Sequence, residues 1–243
     1  AGKPVVVLAV VFQHSPSVLL MRQQGGAPDL RKLAGAPVMI GAAGDAAVAA
    51  DEVSLFLKKM GVDPRQLHHV RPSYRVEDLI SGKVDAIAAY STNEPDYLDR
   101  AGFPYYQFTP RTAGIDFYGD NLFTSEHELR RHPERAKAFR AASLRGWQYA
   151  MAHSEEMARL IHAKYSQRHD RAHLLYEAQQ MELLLQPTLV EPGYMNPQRW
   201  QHIADTYAAM GVLPRNATDS SAYKGFLYRP VPGADLGWLY LSL

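Results

Sequence analysis

Short apolar runs alternate with amphipathic stretches from the N-terminus to about Phe108. Apolar runs of this kind, bounded by glycine, proline or polar residues, are typical of buried strands. The pattern predicts strands over residues 5–12, 18–22, 37–41, 67–70 and 84–90. It also predicts a helix from Asp45, its N-cap, to Met60, and a short helix over residues 76–81. Strands that alternate with helices indicate an α/β fold with mainly parallel sheets.

The apolar spacing changes after Pro110 to the period of amphipathic helices. It predicts helices that begin near residues 133, 155, 171 and 197 and end near residues 151, 165, 185 and 210. Pro133 suits the first position of its helix, because the N–H that proline lacks would have no partner there. A last strand is predicted over residues 225–228.

This change of pattern predicts two lobes joined by a crossing segment. We assign residues 1–22 and 109–230 to the first lobe and residues 23–108 to the second lobe. Residues 231–243 form a tail that ends in Trp238-Leu-Tyr-Leu-Ser-Leu243. Two interpretations of the tail stand: a helix cut after its first turn on entering a membrane, or a segment packed on the first lobe.

Composition restricts the classes of function. The 243 residues are 47% apolar, which is ordinary for a folded protein. The 26 basic and 25 acidic residues leave no basic surplus, so we expect no nucleic acid partner. The absence of cysteine excludes disulfides, cysteine-bound zinc and thiol nucleophiles, and is compatible with an oxidising compartment. No apolar run reaches the roughly 18 residues that a membrane-spanning helix needs.

The polar loop after the strand at residues 84–90 is the most informative candidate site. Tyr90 ends the strand, and Asn93 and Glu94 follow it. Ligands of open α/β sheets bind just outside the carboxyl ends of strands. The Asn93 amide donates and accepts hydrogen bonds, and Glu94 offers two acceptor oxygens. This loop therefore predicts recognition of a small, nitrogen-rich ligand.

Further polar clusters lie in three other predicted loops. His14 and Ser15 follow the first strand, where they either only turn the chain or contribute to a ligand site. Asp45 either caps a helix or marks an anion site. Asp116 and Tyr118 stand between glycines in an acidic and aromatic loop. The full set of predicted ligand-binding residues is His14, Ser15, Asp45, Tyr90, Asn93, Glu94, Asp116 and Tyr118.

Sequence signatures of catalysis are not found. The chain has no GxSxG elbow, no GxGxxG fingerprint, no phosphate-binding GxxxxGK[ST] loop and no HExxH pair. Its ten histidines are scattered, and we interpret them as surface residues because a zinc site needs three or four converging ligands. We therefore predict no catalytic residues, no metal and no cofactor.

The chain resembles the family of thiamine pyrimidine precursor proteins in four ordered segments: GKVDAIAAYSTNEP, GIDFYGDNLFTSE, HPERAKAFRAASLRGWQYA and NPQRWQHIADTYAAMG. This family includes periplasmic formylaminopyrimidine-binding proteins of ABC transporters and the fungal pyrimidine synthase. The resemblance spans residues 10–228. It implies a type II periplasmic-binding-protein fold, in which two α/β lobes close on a ligand. Asn93 and Glu94 match the family's loop after the strand, and Tyr118 matches its aromatic and acidic loop.

Two departures from the family bear on function. The family begins with a further strand and helix that carry a histidine and aromatic ligand contacts, so we expect an N-terminal part to be missing here. The synthase branch also carries a cysteine-rich iron motif, whereas this chain has no cysteine. The resemblance therefore implies binding rather than synthesis, and an enzyme of pyrimidine synthesis is the alternative.

The resemblance implies an extracytoplasmic module that binds a small heteroaromatic ligand. Its partner would be an ABC permease, or a membrane signalling module fused to the same chain. The second possibility rests on the segments FYGDNLFTSE and GFLYRP, which resemble a subset of bacterial sensor proteins. In that case the intact protein would be tethered to a membrane.

Overall fold

The computed structural model describes residues 4–41, 51–73, 75–214 and 226–229. Within them the strands are β1 (Val5–Val10), β2 (Ser17–Arg22), β3 (Pro37–Met39), β4 (His68–His69), β5 (Ala86–Tyr90), β6 (Tyr105–Phe108) and β7 (Asn121–Ser125). Each strand predicted within the first 108 residues is thus present, with ends that differ by a few residues. Asp45 and the tail at residues 231–243 lie outside the described residues.

The first helices connect strands, and the later ones follow each other along the chain. They are α1 (Glu52–Lys59), α2 (Glu77–Ile80), α3 (Glu94–Arg100), α4 (Glu126–Arg131), α5 (Pro133–Ala152), α6 (Ser154–Lys164), α7 (Arg171–Leu185) and α8 (Pro197–Ala209). Short 3-10 helices lie at Leu30–Leu33, Pro64–Gln66 and Pro110–Ala113. Within the described part of the chain, no helix combines the length and the apolar character needed to cross a membrane.

The helix predicted from Asp45 to Met60 is described only from Asp51 onwards. Asp51 is the N-cap of α1, with an extended backbone, and its side chain accepts a hydrogen bond from the Ser54 N–H at 3.2 Å. An extended residue at position 51 interrupts the predicted continuous helix over residues 45–60. The predicted helix is therefore not continuous at position 51, and its predicted start at Asp45 lies outside the described residues.

The larger sheet has the strand order β4-β3-β5-β2-β6. β3 pairs in parallel with β4 and β5, whereas β2 is antiparallel to both β5 and β6. The α/β class is confirmed, but the sheet is mixed rather than mainly parallel. The reason is that β2 enters the sheet from the loop after β1, without a crossover helix, and runs opposite to β5.

A second, smaller sheet pairs β1 with β7 in antiparallel orientation. Leu227 forms an isolated parallel bridge with Val7, where the Val7 N–H donates to the Phe226 carbonyl at 2.7 Å. The strand predicted at residues 225–228 is therefore reduced to one bridge within the described residues.

The position of β2 changes the predicted division of the chain. We placed residues 18–22 in the first lobe, but β2 lies between β5 and β6 in the larger sheet. Since β1 belongs to the smaller sheet and β2 to the larger one, the chain passes from one sheet to the other between Val10 and Ser17. This passage contains His14 and Ser15, two of the predicted site residues.

Two apolar clusters cover the two faces of the larger sheet. Leu19 and Met21 of β2 pack with residues of α1, whereas Val18 and Leu20 pack with Leu79 and Leu98 of α2 and α3. This alternation follows from the two-residue period of a strand. The sheet is therefore covered on both faces, and its strand ends are the places open to a ligand.

Candidate functional site

A cavity of about 220 Å³ lies at the carboxyl ends of β3 and β5. Met39 and Tyr90 mark these strand ends, and Ser17 lines the cavity where β2 begins. Asp51 and Glu94 line it as well, from the N-terminal ends of α1 and α3. The cavity is thus built where the sequence predicted a ligand, at strand ends that face the start of helices.

Glu94 is held by its own loop. Its Oε2 accepts a hydrogen bond from the Tyr90 backbone N–H at 2.8 Å, and its Oε1 accepts one from Asn93 Nδ2 at 3.0 Å. A carboxylate has about four lone-pair sites, so these two bonds leave acceptor capacity for a ligand. Tyr90 and Glu94, both predicted from sequence, therefore line one cavity.

A second carboxylate, that of Glu52, follows the cavity-lining Asp51 in the chain. Ser15 Oγ donates to Glu52 Oε1 at 2.8 Å and accepts from the Ser17 N–H at 3.2 Å. Burial raises the pKa of Glu52 against the opposing bond from Ser15, and with the charges of Asp51 and Asp116 the pKa reaches about 7. Glu52 is consequently poised to change its charge near neutral pH.

His14 and Asp116 form a cluster with Arg199 of α8. His14 Nδ1 lies 2.7 Å from Asp116 Oδ1, which also accepts from Arg199 Nη2 at 2.8 Å. His14 Nε2 lies 3.0 Å from Gln186 Nε2. Although burial acts the other way, the bond from His14 and the charge of Arg199 hold the pKa of Asp116 below its usual value. The predicted pair His14 and Asp116 is thus in direct contact.

Tyr118 is part of the packing beside this cluster. Only 6% of it is exposed, its hydroxyl accepts from the Asn196 N–H at 3.0 Å, and the Arg199 guanidinium lies 4.6 Å from its ring centre. The Trp200 ring packs against the Tyr118 ring, with ring centres 5.3 Å apart. Tyr118 therefore orients Arg199 and does not line the cavity.

Negative charge converges on the cavity. Partial burial raises the pKa of the Tyr90 hydroxyl, and the charges of Asp120, Asp51, Glu94 and Glu52 raise it further. Burial also raises the pKa of Asp51 and of Asp120. Since these carboxylates act on one exposed phenol, the site favours a ligand that donates hydrogen bonds or carries positive charge.

The sequence missed several residues of this site. Asp51 and Glu52 had a local signal, because an acidic pair directly before an apolar helical stripe is typical of a helix start. Arg199 had no local signal in the sequence, since its partner Asp116 lies far away along the chain. Asn93, which was predicted, does not line the cavity but holds Glu94 beside it.

The surface interpretation of the histidines was wrong for His173. This residue is 0% exposed, with Nδ1 2.7 Å from Asp96 Oδ2 and Nε2 2.9 Å from Asn93 Oδ1. The sequence gave no indication that His173 is buried, because it shows only a polar residue on a helix, four positions after His169. Over the described ranges, no group of three or more histidine or acidic side chains is placed to hold a metal ion.

The sequence profile of the family described as NMT1/THI5 like matches residues 1–157 of the chain. The match therefore includes both sheets and the residues that line the cavity. None of the curated proteins compared with the chain matches it significantly.

Solved structures resemble the chain over almost its whole length. A protein from Bordetella bronchiseptica RB50 aligns with a TM-score of 0.66 and 15% identity, over 94% of this chain and 73% of its own. A putative periplasmic sulfonate-binding protein SsuA of an ABC transporter from Methylobacillus flagellatus KT aligns with a TM-score of 0.59 and 15% identity, over 92% of this chain and 66% of its own. The ligand-binding component of an ABC-type import system from Staphylococcus aureus, with zinc bound, aligns with a TM-score of 0.57 and 12% identity, over 93% of this chain and 75% of its own.

These likenesses show the fold, which is that of periplasmic binding proteins, as predicted. The chain spans about two thirds to three quarters of the length of the three structures.

Proposed function

Because the chain belongs to the NMT1/THI5-like family, we propose that it is a solute-binding module for a small heteroaromatic ligand that carries an amino group. The ligand would occupy the cavity at the ends of β3 and β5. A volume of about 220 Å³ lies below the roughly 300–1,000 Å³ of pockets for drug-sized molecules, which favours a single small ring.

The acidic lining of the cavity is the observation that carries this proposal. Asp51 and Glu94 line it directly, and Glu52 and Asp120 act on the same Tyr90 hydroxyl. An aminopyrimidine presents an N–H edge, and a hydrogen bond from that edge to a carboxylate is charge-assisted. Arg75 also lines the cavity, but it forms an ion pair with Glu77 at 3.4 Å.

The same charges argue against an anionic ligand. The SsuA protein among the similar structures is described as sulfonate-binding, and a sulfonate is an anion. Placing an anion beside Asp51 and Glu94 would add like-charge repulsion in a partly buried site. We therefore assign this chain a ligand of the pyrimidine-precursor class rather than a sulfonate.

We further propose that the module works outside the cytoplasm. The similar structures from Methylobacillus flagellatus KT and Staphylococcus aureus are described as parts of ABC import systems, which supports a permease as partner. A fused membrane signalling module is the other use of such a domain. A binding module needs no chemical step, since a ligand that contacts both lobes shifts the population towards a closed state.

Isothermal titration calorimetry with the full chain tests the proposal. We expect 4-aminopyrimidine to bind and methanesulfonate not to bind. Glu94→Gln removes the charge of the acceptor, and we expect a loss of about 1.5–3 kcal/mol of affinity, the range for hydrogen bonds to charged groups. Glu191→Gln is the matched control, because Glu191 is exposed and does not line the cavity. Binding of methanesulfonate in preference to 4-aminopyrimidine would reject the proposed ligand class.

A further inference from the structure

We propose that His173, in its doubly protonated form, is a positioning residue of the candidate site. It holds Asn93, and through Asn93 it holds the Glu94 carboxylate beside the cavity. The inference rests on the proposed function only in taking Glu94 as a ligand contact. His173 lies on α7, whereas Asn93 is the N-cap of α3 and Glu94 is the first residue of that helix.

Four groups form a continuous chain of hydrogen bonds, which we call the relay. His173 Nε2 lies 2.9 Å from Asn93 Oδ1, Asn93 Nδ2 lies 3.0 Å from Glu94 Oε1, and Glu94 Oε2 accepts from the Tyr90 N–H at 2.8 Å. The relay begins at a fully buried ring and ends at two residues that line the cavity.

The donors and acceptors of the relay fix the charge of His173. An ionised Glu94 only accepts, so the Asn93 amide must turn its NH₂ group towards Glu94 and its oxygen towards His173. His173 Nε2 must then carry a proton. On the other side of the ring, Nδ1 lies 2.7 Å from Asp96 Oδ2, which also accepts from Arg100 at 2.9 Å. Both ring nitrogens therefore face acceptors, and only the imidazolium has two N–H donors.

The surroundings of the ring favour this cation. Its face stacks on Tyr97 with centres 4.4 Å apart, and Glu177 Oε1 lies 3.6 Å from Nε2. Burial raises the pKa of Glu177; the His173 charge lowers it and the Glu94 charge raises it. The titratable and charged groups around His173 are Glu94, Asp96, Tyr97 and Arg100 on α3, Arg168, His169 and Asp170 before α7, and Tyr176 and Glu177 on α7.

Additional contacts fix α7 against the same loop. Asp170 caps α7 by accepting from the His173 N–H at 2.7 Å, and Arg100 bridges Asp170 to Asp96. The Tyr176 hydroxyl donates to the Ser91 carbonyl at 3.2 Å. The position of His173 relative to Asn93 is therefore set by α7 as a whole and not by one flexible side chain.

NMR of the full chain with isotope-labelled histidine tests the charge assignment. At about pH 7 we expect both ring nitrogens of His173 to give N–H signals, and His173→Gln identifies them by their loss. The Asn93 side-chain amide and the Tyr90 backbone amide should both shift in His173→Gln. A bare Nε2 at about pH 7, or a Tyr90 amide signal that is unchanged in His173→Gln, would overturn the inference.

Hydrogen exchange of the Tyr90 amide tests the positioning role. We expect His173→Gln to speed exchange about tenfold or more, because the Glu94 acceptor loses its fixed orientation. His169→Gln is the matched control, since His169 stacks on His173 and contacts the Tyr97 hydroxyl but does not touch Asn93. Equal exchange in the two variants contradicts the role.

A second variant covers the case in which His173→Gln does not fold. Asn93→Ala leaves the bond between His173 and Asp96 but breaks the relay, so hydrogen exchange of the Tyr90 amide should again become faster. An exchange rate equal to that of the unsubstituted protein would contradict the relay. Calorimetry with 4-aminopyrimidine separates this inference from the proposed function. An intact relay without binding rejects only the ligand assignment, whereas binding with an unresponsive Tyr90 amide rejects only the relay.

Discussion

Glu52 makes the candidate site sensitive to pH near neutrality. Burial raises its pKa from 4.5 to about 7. Between these two values the folded protein keeps a proton that the unfolded chain has released, so its stability falls as the pH rises. The contribution of Glu52 is complete below about pH 4.5 and is lost as the pH passes about 7.

Replacing Glu52 with glutamine should therefore stabilise the protein only at the higher pH. At about pH 8 we expect Glu52→Gln to raise the free energy of unfolding by up to about 3 kcal/mol, because no buried charge remains. At about pH 5 the change should be small, since the native carboxyl is then neutral. Urea unfolding at both pH values measures this. The exposed Glu182→Gln is the control, and an equal gain at both pH values would contradict the assignment.

The sequence predicted the site residues whose role depends on local position. Tyr90, Asn93 and Glu94 follow a buried strand, and their loop geometry depends on bonds between neighbours. The role of Arg199 depends instead on Asp116, 83 residues away, and that of His173 depends on Asn93, 80 residues away. No local pattern in the sequence reveals such contacts. A polar residue on a helix is buried or exposed according to what the fold places against it.

At the scale of elements, the starts of α5, α7 and α8 were predicted well because helix caps are local. Asp170 and Asn196 each cap a helix through their own side chains, and α5 and α8 begin with proline as expected. The order of the sheet was not predictable in the same way. The insertion of β2 between β5 and β6 depends on pairing between distant segments, and an apolar run carries no direction.

Two glycines should respond in opposite ways to the same substitution. A Cβ at Gly119 would lie 2.7 Å from the Phe12 Cβ and 3.0 Å from the His14 carbonyl oxygen, whereas nothing lies within 4 Å of one at Gly146 in α5. Gly119→Ala should cost about 1–3 kcal/mol through overpacking. Gly146→Ala should gain about 0.5–1 kcal/mol through helix propensity. Thermal unfolding of the two variants measures both, and a stable Gly119→Ala protein would show that the loops beside the site adapt.

At the scale of the whole molecule, the fold explains why the polar loops meet. The chain passes between the sheets from Val10 to Ser17 and again from Phe108 to Asn121, and these passages carry His14, Ser15 and Asp116. The resemblance noted in the sequence is confirmed as far as membership of the NMT1/THI5-like family, and the assignment to thiamine pyrimidine precursor proteins stays a prediction. The division into two lobes stays a prediction, with β2 moved to the lobe of the larger sheet.

Closure of these lobes on a ligand is the prediction that belongs to this scale. The chain has no cysteine, so two introduced cysteines carry spin labels without competing sites. Lys32 is exposed beside the larger sheet, and Gln148 is exposed on α5. In the Lys32→Cys, Gln148→Cys protein we expect saturating 4-aminopyrimidine to shorten the distance between the labels and narrow its distribution, because the ligand favours the closed state.

A second label pair shows whether that change is a movement between lobes. Lys32→Cys with Gln107→Cys places both labels in the predicted lobe of the larger sheet, since Lys32 lies in the 3-10 helix Leu30–Leu33 and Gln107 lies in β6. This pair should keep its distance when the probe is added, because a rigid sheet does not deform on closure. If calorimetry shows binding and the cross-lobe pair does not move, the cavity admits its ligand without closure. A change of equal size in both pairs would mean that the larger sheet itself rearranges, and the two-lobe division would then be wrong.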